Sequence, residues 1–416
     1  MGNKARYVVE GQTMSDTRKT TRREFITKST TTAAALGLVT AVPSVGVLGA
    51  NEKIVLGVIG TGGRGTSLMQ EAKKQGAAIA AVCDVYTERL ERARKIAVED
   101  AFATDEYKRV LERKDMDAVI IATPDHWHHD MLIDAVGAGK DVYIEKPLSK
   151  TIEEGKEMVK AVRATDRVVQ VGNHMRSGQH WAHAREVIQS GVLGRVIWVR
   201  AWDCRNWTKN DPFAPPVEIK GKIDWKKFLG PAPWHEFDPH RYFAWRWYWD
   251  YAGGLMTDIG AHMLGLVHWL MDVDGPRTVA ANGGHHFFDY WETPDVVHSV
   301  LDYGTFSVVF SVEFVNGHDG LGATFYGTDG TLVADGASFA VYPQHTTGER
   351  KPIEQWTATA ETSAHIANFL DCIRTRKQPN SPIEYGHRVI TAAHLGNISY
   401  RTGKRVSWDV EREEIV

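Results

Sequence analysis

Asp258 and His262 stand four residues apart in Gly253-Gly254-Leu255-Met256-Thr257-Asp258-Ile259-Gly260-Ala261-His262. That spacing puts both side chains on one face of a helix. A histidine titrating near neutrality can take a proton from a hydroxyl, and an aspartate one turn away can orient the substrate or tune the imidazole. A third group, Lys146, lies in Glu145-Lys146-Pro147 directly after the apolar run Asp141 to Ile144. A lysine ammonium beside that oxygen would stabilise developing negative charge. The plainer readings are a polar pair on a buried helix and a solvated lysine at a strand end. Pro147 weighs against the second, because it fixes the backbone next to Lys146.

These residues need a scaffold, and the N-terminal half supplies its pattern. Ile54 to Ile59 is a short β-rich apolar run, as a buried parallel strand requires. It leads into Gly60-Thr61-Gly62-Gly63-Arg64-Gly65, which satisfies GxGxxG and opens a helical run to Lys74. Glycines there allow a tight turn and close approach to a pyrophosphate, with helix amides pointing at the phosphate. A second strand, Ala78 to Val82, ends at Asp84, where a ribose-binding carboxylate belongs. No arginine follows Asp84 directly, which favours NAD over NADP; a helix N-cap is its alternative role. Strand and helix then alternate: Ala118 to Ala122, His128 to Ala138, Asp141 to Ile144, Thr151 to Thr165, Val168 to Val171. Such alternation predicts a doubly wound parallel sheet, with ligands beyond the carboxyl ends of its strands. That rule selects Thr123-Pro124-Asp125-His126-Trp127-His128, Glu145-Lys146-Pro147 and Gly172-Asn173-His174-Met175-Arg176.

Taken together, the motifs from about Lys53 to the C-terminus resemble the Gfo/Idh/MocA oxidoreductases, a family named for glucose-fructose oxidoreductase and inositol dehydrogenase. The most specific elements are the EKP at Glu145-Lys146-Pro147 and the GG…D…H pattern ending at Asp258 and His262. The resemblance implies a catalytic Lys146, Asp258 and His262. It implies cofactor contacts from Gly60, Gly62, Gly63, Arg64, Gly65, Asp84, Thr123, Pro124, His128, Glu145, Lys146, Pro147 and Asn173. The family's usual TPNxxH is TPDHWH here, with Asp125 in the Asn position. His174, Arg176 and Arg246 are weaker substrate-binding candidates.

From Val196 the composition changes. Eight of the 14 tryptophans, from Trp198 to Trp249, crowd one region interrupted by six prolines, which predicts a long looped excursion. Aromatic packing is the ordinary role for most of them, with some able to wall a sugar pocket. Strand-like runs follow: Thr278 to Asn282, Val297 to Tyr303, Ser307 to Phe314, Ala323 to Tyr326 and Phe339 to Tyr342. They predict an open, mainly antiparallel sheet with turns at Gly304, Gly327 and Gly330. The family resemblance implies that one face covers the site and the other forms a homodimer or homotetramer interface. Helices at His365 to Arg376 and His387 to Arg401 return the chain toward the first domain.

The chain has 416 residues, 49 basic and 52 acidic side chains and a formal charge of −3, a balance that predicts neither nucleic acid nor an acidic membrane as partner. Cys83, Cys204 and Cys372 predict no disulfide framework. The 18 histidines include His126-Trp127-His128-His129 and His285-His286, but no set has metal-ligand spacing, so no metal site is expected. At the N-terminus, Thr21 to Lys28 (TRREFITK) matches a twin-arginine export signal around Arg22 and Arg23. The run Ser29 to Ala50 is too rich in Thr and Gly for a membrane anchor.

The sequence thus predicts a leader (1–50), a Rossmann domain (51–175) and an α+β substrate and oligomerisation domain (176–416). It predicts an exported, periplasmic NAD(H)-dependent oxidoreductase acting on a sugar or glycoside, with the dinucleotide tightly bound because no free pool exists outside the cytoplasm. Two other functions fit the same chain: a glycoside hydrolase or lyase working through transient sugar oxidation, and a non-catalytic sugar-binding protein.

Overall fold

A computed structural model describes residues 53–416 except 337, 345–346, 348–349 and 358–360. The twin-arginine segment, with Arg22 and Arg23, lies outside the described residues.

The first sheet is built from β1 (Val55–Ile59), β2 (Ala78–Cys83), β3 (Phe102–Thr104), β4 (Ala118–Ile121), β5 (Asp141–Ile144) and β6 (Val169–Val171). Every neighbouring pair is parallel and the spatial order is β3-β2-β1-β4-β5-β6. Residues of β4 and β5 are buried throughout, which explains their continuous apolar runs. The chain order reverses between β1 and β4, so a crevice opens above their carboxyl ends.

The second sheet has ten strands. They are β7 (Val196–Cys204), β8 (Thr278–Gly284), β9 (Val296–Asp302), β10 (Ser307–Glu313), β11 (Leu321–Gly327), β12 (Gly330–Asp335), β13 (Ser338–Pro343), β14 (Glu354–Thr357), β15 (Val406–Asp409) and β16 (Glu414–Ile415). The order is β14-β13-β12-β11-β7-β10-β9-β8-β15-β16. All five expected strands are present. The reading of the tryptophan-rich stretch as loop misses β7, a central strand parallel to β10 and antiparallel to β11. Its alternation is real, with Val199, Ala201 and Asp203 buried, but the outward Trp198 and Trp202 hide it in a count of apolar residues. Gly330 begins β12 rather than lying in a turn.

Two helical features position the site. The expected single helix through Asp258 and His262 is interrupted at Ile259, giving Gly254–Asp258 and Gly260–Met271. The second of these is apolar on nearly every side and is packed inside the molecule. Helix Glu361–Thr375 packs against the first sheet, where Ile366, Phe369 and Leu370 share a core with Leu56, Val58 and Ile120. Helix Ile383–Thr402 carries the chain onward to β15.

Candidate active site

The crevice is a cleft of about 970 Å³, running from the glycine loop and Asp84 at one end to Lys146, His174, Arg246 and His262 at the other.

The glycine loop is shaped by backbone approach. Gly60 has φ +83°, and a Cβ there would sit 2.6 Å from the Ala122 carbonyl oxygen. A Cβ on Gly65 would lie 2.0 Å from the Gly60 oxygen, so the helix could not pack on the turn. Gly62 and Gly63 face the cleft, with open space at Gly63. Helix Gly63–Lys74 starts with no side-chain cap and no acidic residue in its first turn. Its first amides are therefore free for an anion. Asp84 lines the same end, but its carboxylate also ties the loop together. Oδ2 accepts from the Thr61 amide (2.7 Å) and hydroxyl (3.0 Å), and Oδ1 accepts from the Tyr86 amide (3.0 Å). It does not cap the following helix, whose N-cap position is Tyr86.

At the other end, Lys146 Nζ donates to Asp258 Oδ1 at 2.8 Å and to the Asp258 carbonyl at 3.0 Å. Burial alone would raise the Asp258 pKa, but Lys146 and Arg246 hold it below the usual carboxylate range. His262 is half-buried in the wall of the cleft, and its buried Nδ1 has no hydrogen-bond partner. Burial, then the charge of Lys146, keeps its pKa well below the ordinary histidine value. This corrects the expectation of a histidine titrating near neutrality: His262 is a neutral imidazole, ready to accept a proton. The His174 ring meets it edge-on at 5.0 Å. Burial pushes His174 down to about 4.

The remaining candidates sort by position. Arg64, Thr123, Pro124, Glu145 and Arg246 line the cleft. Glu145 Oε1 accepts from Arg64 Nε at 2.7 Å, leaving a buried Arg64 Nη2 without a partner. Burial opposes the Glu145 charge, but Arg64 and Lys146 keep its pKa low. His128 is not a lining residue. Its Nδ1 lies 2.7 Å from the Pro147 carbonyl and its Nε2 3.1 Å from the Thr123 carbonyl, so it joins the two loops from behind. Pro147 follows a cis peptide bond. Asn173 is likewise turned inward and donates to the Ala261 carbonyl at 2.7 Å, fastening its loop to the His262 helix. Arg176 stacks on Tyr385 at 4.0 Å and on Trp269 at 5.3 Å. It does not line the cleft but borders a small hollow on the other side of His262, a residue common to both. Arg246 lies between Phe213 and Trp245 with Nε 3.7 Å from Asp258 Oδ1.

Sequence reasoning missed one charged group beside the site. Arg205, just past β7, pairs with buried Asp203 at 2.9 and 2.5 Å and adds positive charge around Asp258 and His262. Recognising β7 by its alternation would have found it. Asp125 is buried with Oδ1 unpartnered. Burial, then Asp258, pushes its carboxyl well above the usual range, so it stays protonated. A neutral carboxyl offers one donor and one acceptor, much as the amide of the family's asparagine does.

The cleft therefore fits a dinucleotide on structural grounds: a backbone cradle that a Cβ would fill, an uncapped helix start and a crevice at the point where strand order reverses. Fold and site together define a Rossmann-type oxidoreductase. Residues 54–173 match the oxidoreductase family's NAD-binding Rossmann domain and residues 178–416 its C-terminal α/β domain. The chain belongs to the Gfo/Idh/MocA oxidoreductase family. It is 26% identical over 357 residues to scyllo-inositol 2-dehydrogenase (NAD(+)) of Bacillus subtilis, covering 81% of this chain and 90% of that protein. A Glycosyl hydrolase family 109 protein from Shewanella sp. is 30% identical over 203 residues, but the match spans only 42% of this chain and 44% of that protein. Among solved structures, levoglucosan dehydrogenase in complex with NADH and levoglucosan has a TM-score of 0.70, with 18% identity over 86% of this chain and 99% of that one. Among the described residues, no three His, Cys, Asp or Glu side chains converge as a metal site would need, and no helix is long and apolar enough to cross a membrane.

Proposed function

We propose that the protein oxidises a ring hydroxyl of a cyclic polyol or sugar, or reduces the matching ketone, with NAD(H). The observation that carries this is that Lys146, bonded to Asp258 behind it, and His262 line the same cleft as the glycine loop. When bound, NAD supplies the hydride acceptor. Neutral His262 takes the hydroxyl proton. Lys146, held by Asp258, stabilises the oxygen as charge develops. Arg246 and Trp245 border the space left for a ring. The similarity to an inositol dehydrogenase across most of the chain supports a cyclic polyol over other hydroxyl compounds. A glycoside-cleaving activity draws on a shorter match. The test is reduction of NAD+ by purified protein given inositols, anhydrosugars, free sugars and glycosides in turn. Oxidation of none, with release of an aglycone from a glycoside, would replace the dehydrogenase reading with the hydrolase one.

Two further parts belong to this proposal. Export by the twin-arginine route to the periplasm rests on TRREFITK alone. Replacing Arg22 and Arg23 together by Lys should leave the protein in the cytoplasm, and undiminished export would refute it. Self-association through the open face of the second sheet is supported by exposed Trp198, Val300 and Val333 there, with Trp198 stacked on Tyr326 at 4.2 Å. A monomer by light scattering at micromolar concentration would overturn it.

A further inference from the structure

The stretch between β7 and helix Gly254–Asp258 does more than pack. It leaves the second sheet at Cys204 and crosses to the far end of the cleft. There Ile223 forms an isolated antiparallel bridge with Tyr86, two residues past Asp84. The Thr87 amide donates to the Lys222 carbonyl at 2.9 Å, the Asp224 amide to the Val85 carbonyl at 2.9 Å, and the Lys222 amide to Thr87 Oγ1 at 2.9 Å. The short helix Trp225–Leu229 follows, capped by Asp224. Its Lys227 Nζ lies 2.8 Å from Asp105 and 3.2 Å from Glu106, just beyond β3. Its Phe228 carbonyl accepts from Trp127 Nε1 at 2.9 Å, beyond β4. Finally Tyr242 takes a hydrogen bond from Arg89 at 3.3 Å, with the guanidinium over its ring at 5.1 Å. One segment is thus fastened to the carboxyl ends of three strands of the other sheet.

Those strand ends define the adenosine half of a Rossmann crevice, because the residue closing β2 faces the ribose. Asp224, Lys226, Phe228, Tyr242 and Phe243 line the cleft together with Gly62 and Asp84. We infer that residues 205–250 form a strap across the adenosine end, so that NAD(H) leaves only after the Ile223–Tyr86 latch and the Lys227 ion pairs open. The dinucleotide is then a resident group rather than an exchanging cosubstrate. This rests on the NAD(H) reading above and adds a second-domain wall to its nucleotide subsite.

The experiment measures release of NADH. Full-length protein is loaded with NADH, mixed with excess NAD+, and the fall of bound-NADH fluorescence is timed. Two variants attack the latch. Gly221 has φ +81°, and a Cβ there would lie 2.3 Å from Thr87 Oγ1, so Gly221→Val forces the bridge apart. Lys227→Ala removes ion pairs that contribute little to folding at this partly exposed site. The expected result is slow release from the parent, at least tenfold faster release from Gly221→Val and a smaller acceleration from Lys227→Ala. Parental release rates in both variants would overturn the strap. Fast release from the parent combined with polyol oxidation would sink the strap and leave the dehydrogenase reading standing. Slow release with acceleration in the variants, but no polyol oxidised, would do the reverse.

Discussion

Lys146 is worth most to the reaction as a charge that cannot move away. It donates two hydrogen bonds to Asp258, one to the carboxylate and one to the carbonyl. Lys146→Met should lower kcat by about 10²-fold or more, the scale of one lost electrostatic stabiliser. Near-normal kcat in that variant would remove Lys146 from the mechanism. His262 sets the pH dependence. Its folded pKa is depressed, so the active neutral form persists through pH 7, and activity falls only as pH drops below the ordinary histidine value of about 6.5. His262→Ala should be slow and should lack that acid limb; a limb that persists places the base elsewhere. Asp125 gives a third check. Its carboxyl pKa is raised, so Asp125→Asn should keep the fold and gain relative stability as pH rises above about 4, where an unfolded aspartate ionises while the buried one keeps its proton. A melting temperature difference that is the same at pH 5 and pH 7 would show that the folded carboxyl is ionised there and not held neutral by burial.

The glycine loop and β2 act as one element through Asp84. Three donors converge on that carboxylate, two from Thr61 and one from Tyr86, so its removal slackens the turn as well as the ribose end of the cleft. Hydrogen bonds to a charged group contribute about 1.5–3 kcal/mol each. Asp84→Ala should therefore weaken NAD binding by roughly tenfold or more and narrow the preference for NAD over NADP. Titration with both dinucleotides checks this. An unaltered preference would confine Asp84 to holding the loop. β7 makes a similar point at a longer range. It carries Asp203 inward and delivers Arg205 toward the site, although its sequence reads as part of an aromatic excursion.

Across the whole molecule, buried histidines tie stability to pH. Burial pushes His126, His268 and His394 down to about 4 and His365 to about 3. Each titrates near 6.5 when unfolded. The unfolded chain thus binds more protons between those values. The stability from their neutral forms is complete above pH 6.5 and is lost as pH falls toward 4, at up to about 1.4 kcal/mol per pH unit for each group. His128, His174, His180, His262 and His387 are lowered in the same sense, and the raised carboxyls of Asp125, Glu154, Asp203 and Glu361 work in the opposite one. The melting temperature should fall clearly from pH 7 to pH 5. His268→Gln should flatten that slope by about one group's share. A melting temperature constant over this range would take these histidines out of the pH dependence.

The parallel sheet was legible because its signals are local: apolar runs, a glycine turn and strand ends at fixed spacing. Those signals were enough to mark Lys146, Asp258 and His262 as candidates, and the lining residues Arg64, Thr123 and Glu145 with them. What a side chain faces is not local. His128 and Asn173 sit in site motifs, yet their nitrogens are spent on carbonyls of neighbouring loops. Arg176 is three residues past Asn173 but stacks on Tyr385, over 200 positions away in the chain. The low pKa of His262 depends on burial and on Lys146, 116 positions earlier. The break at Ile259 and the bridge from Ile223 to Tyr86 likewise depend on what packs around them. The chain's own pattern determined the family of fold and the chemistry available. Only the tertiary structure decided which groups meet, which stay neutral and which merely hold the loops, because burial and charge are set by neighbours distant in sequence.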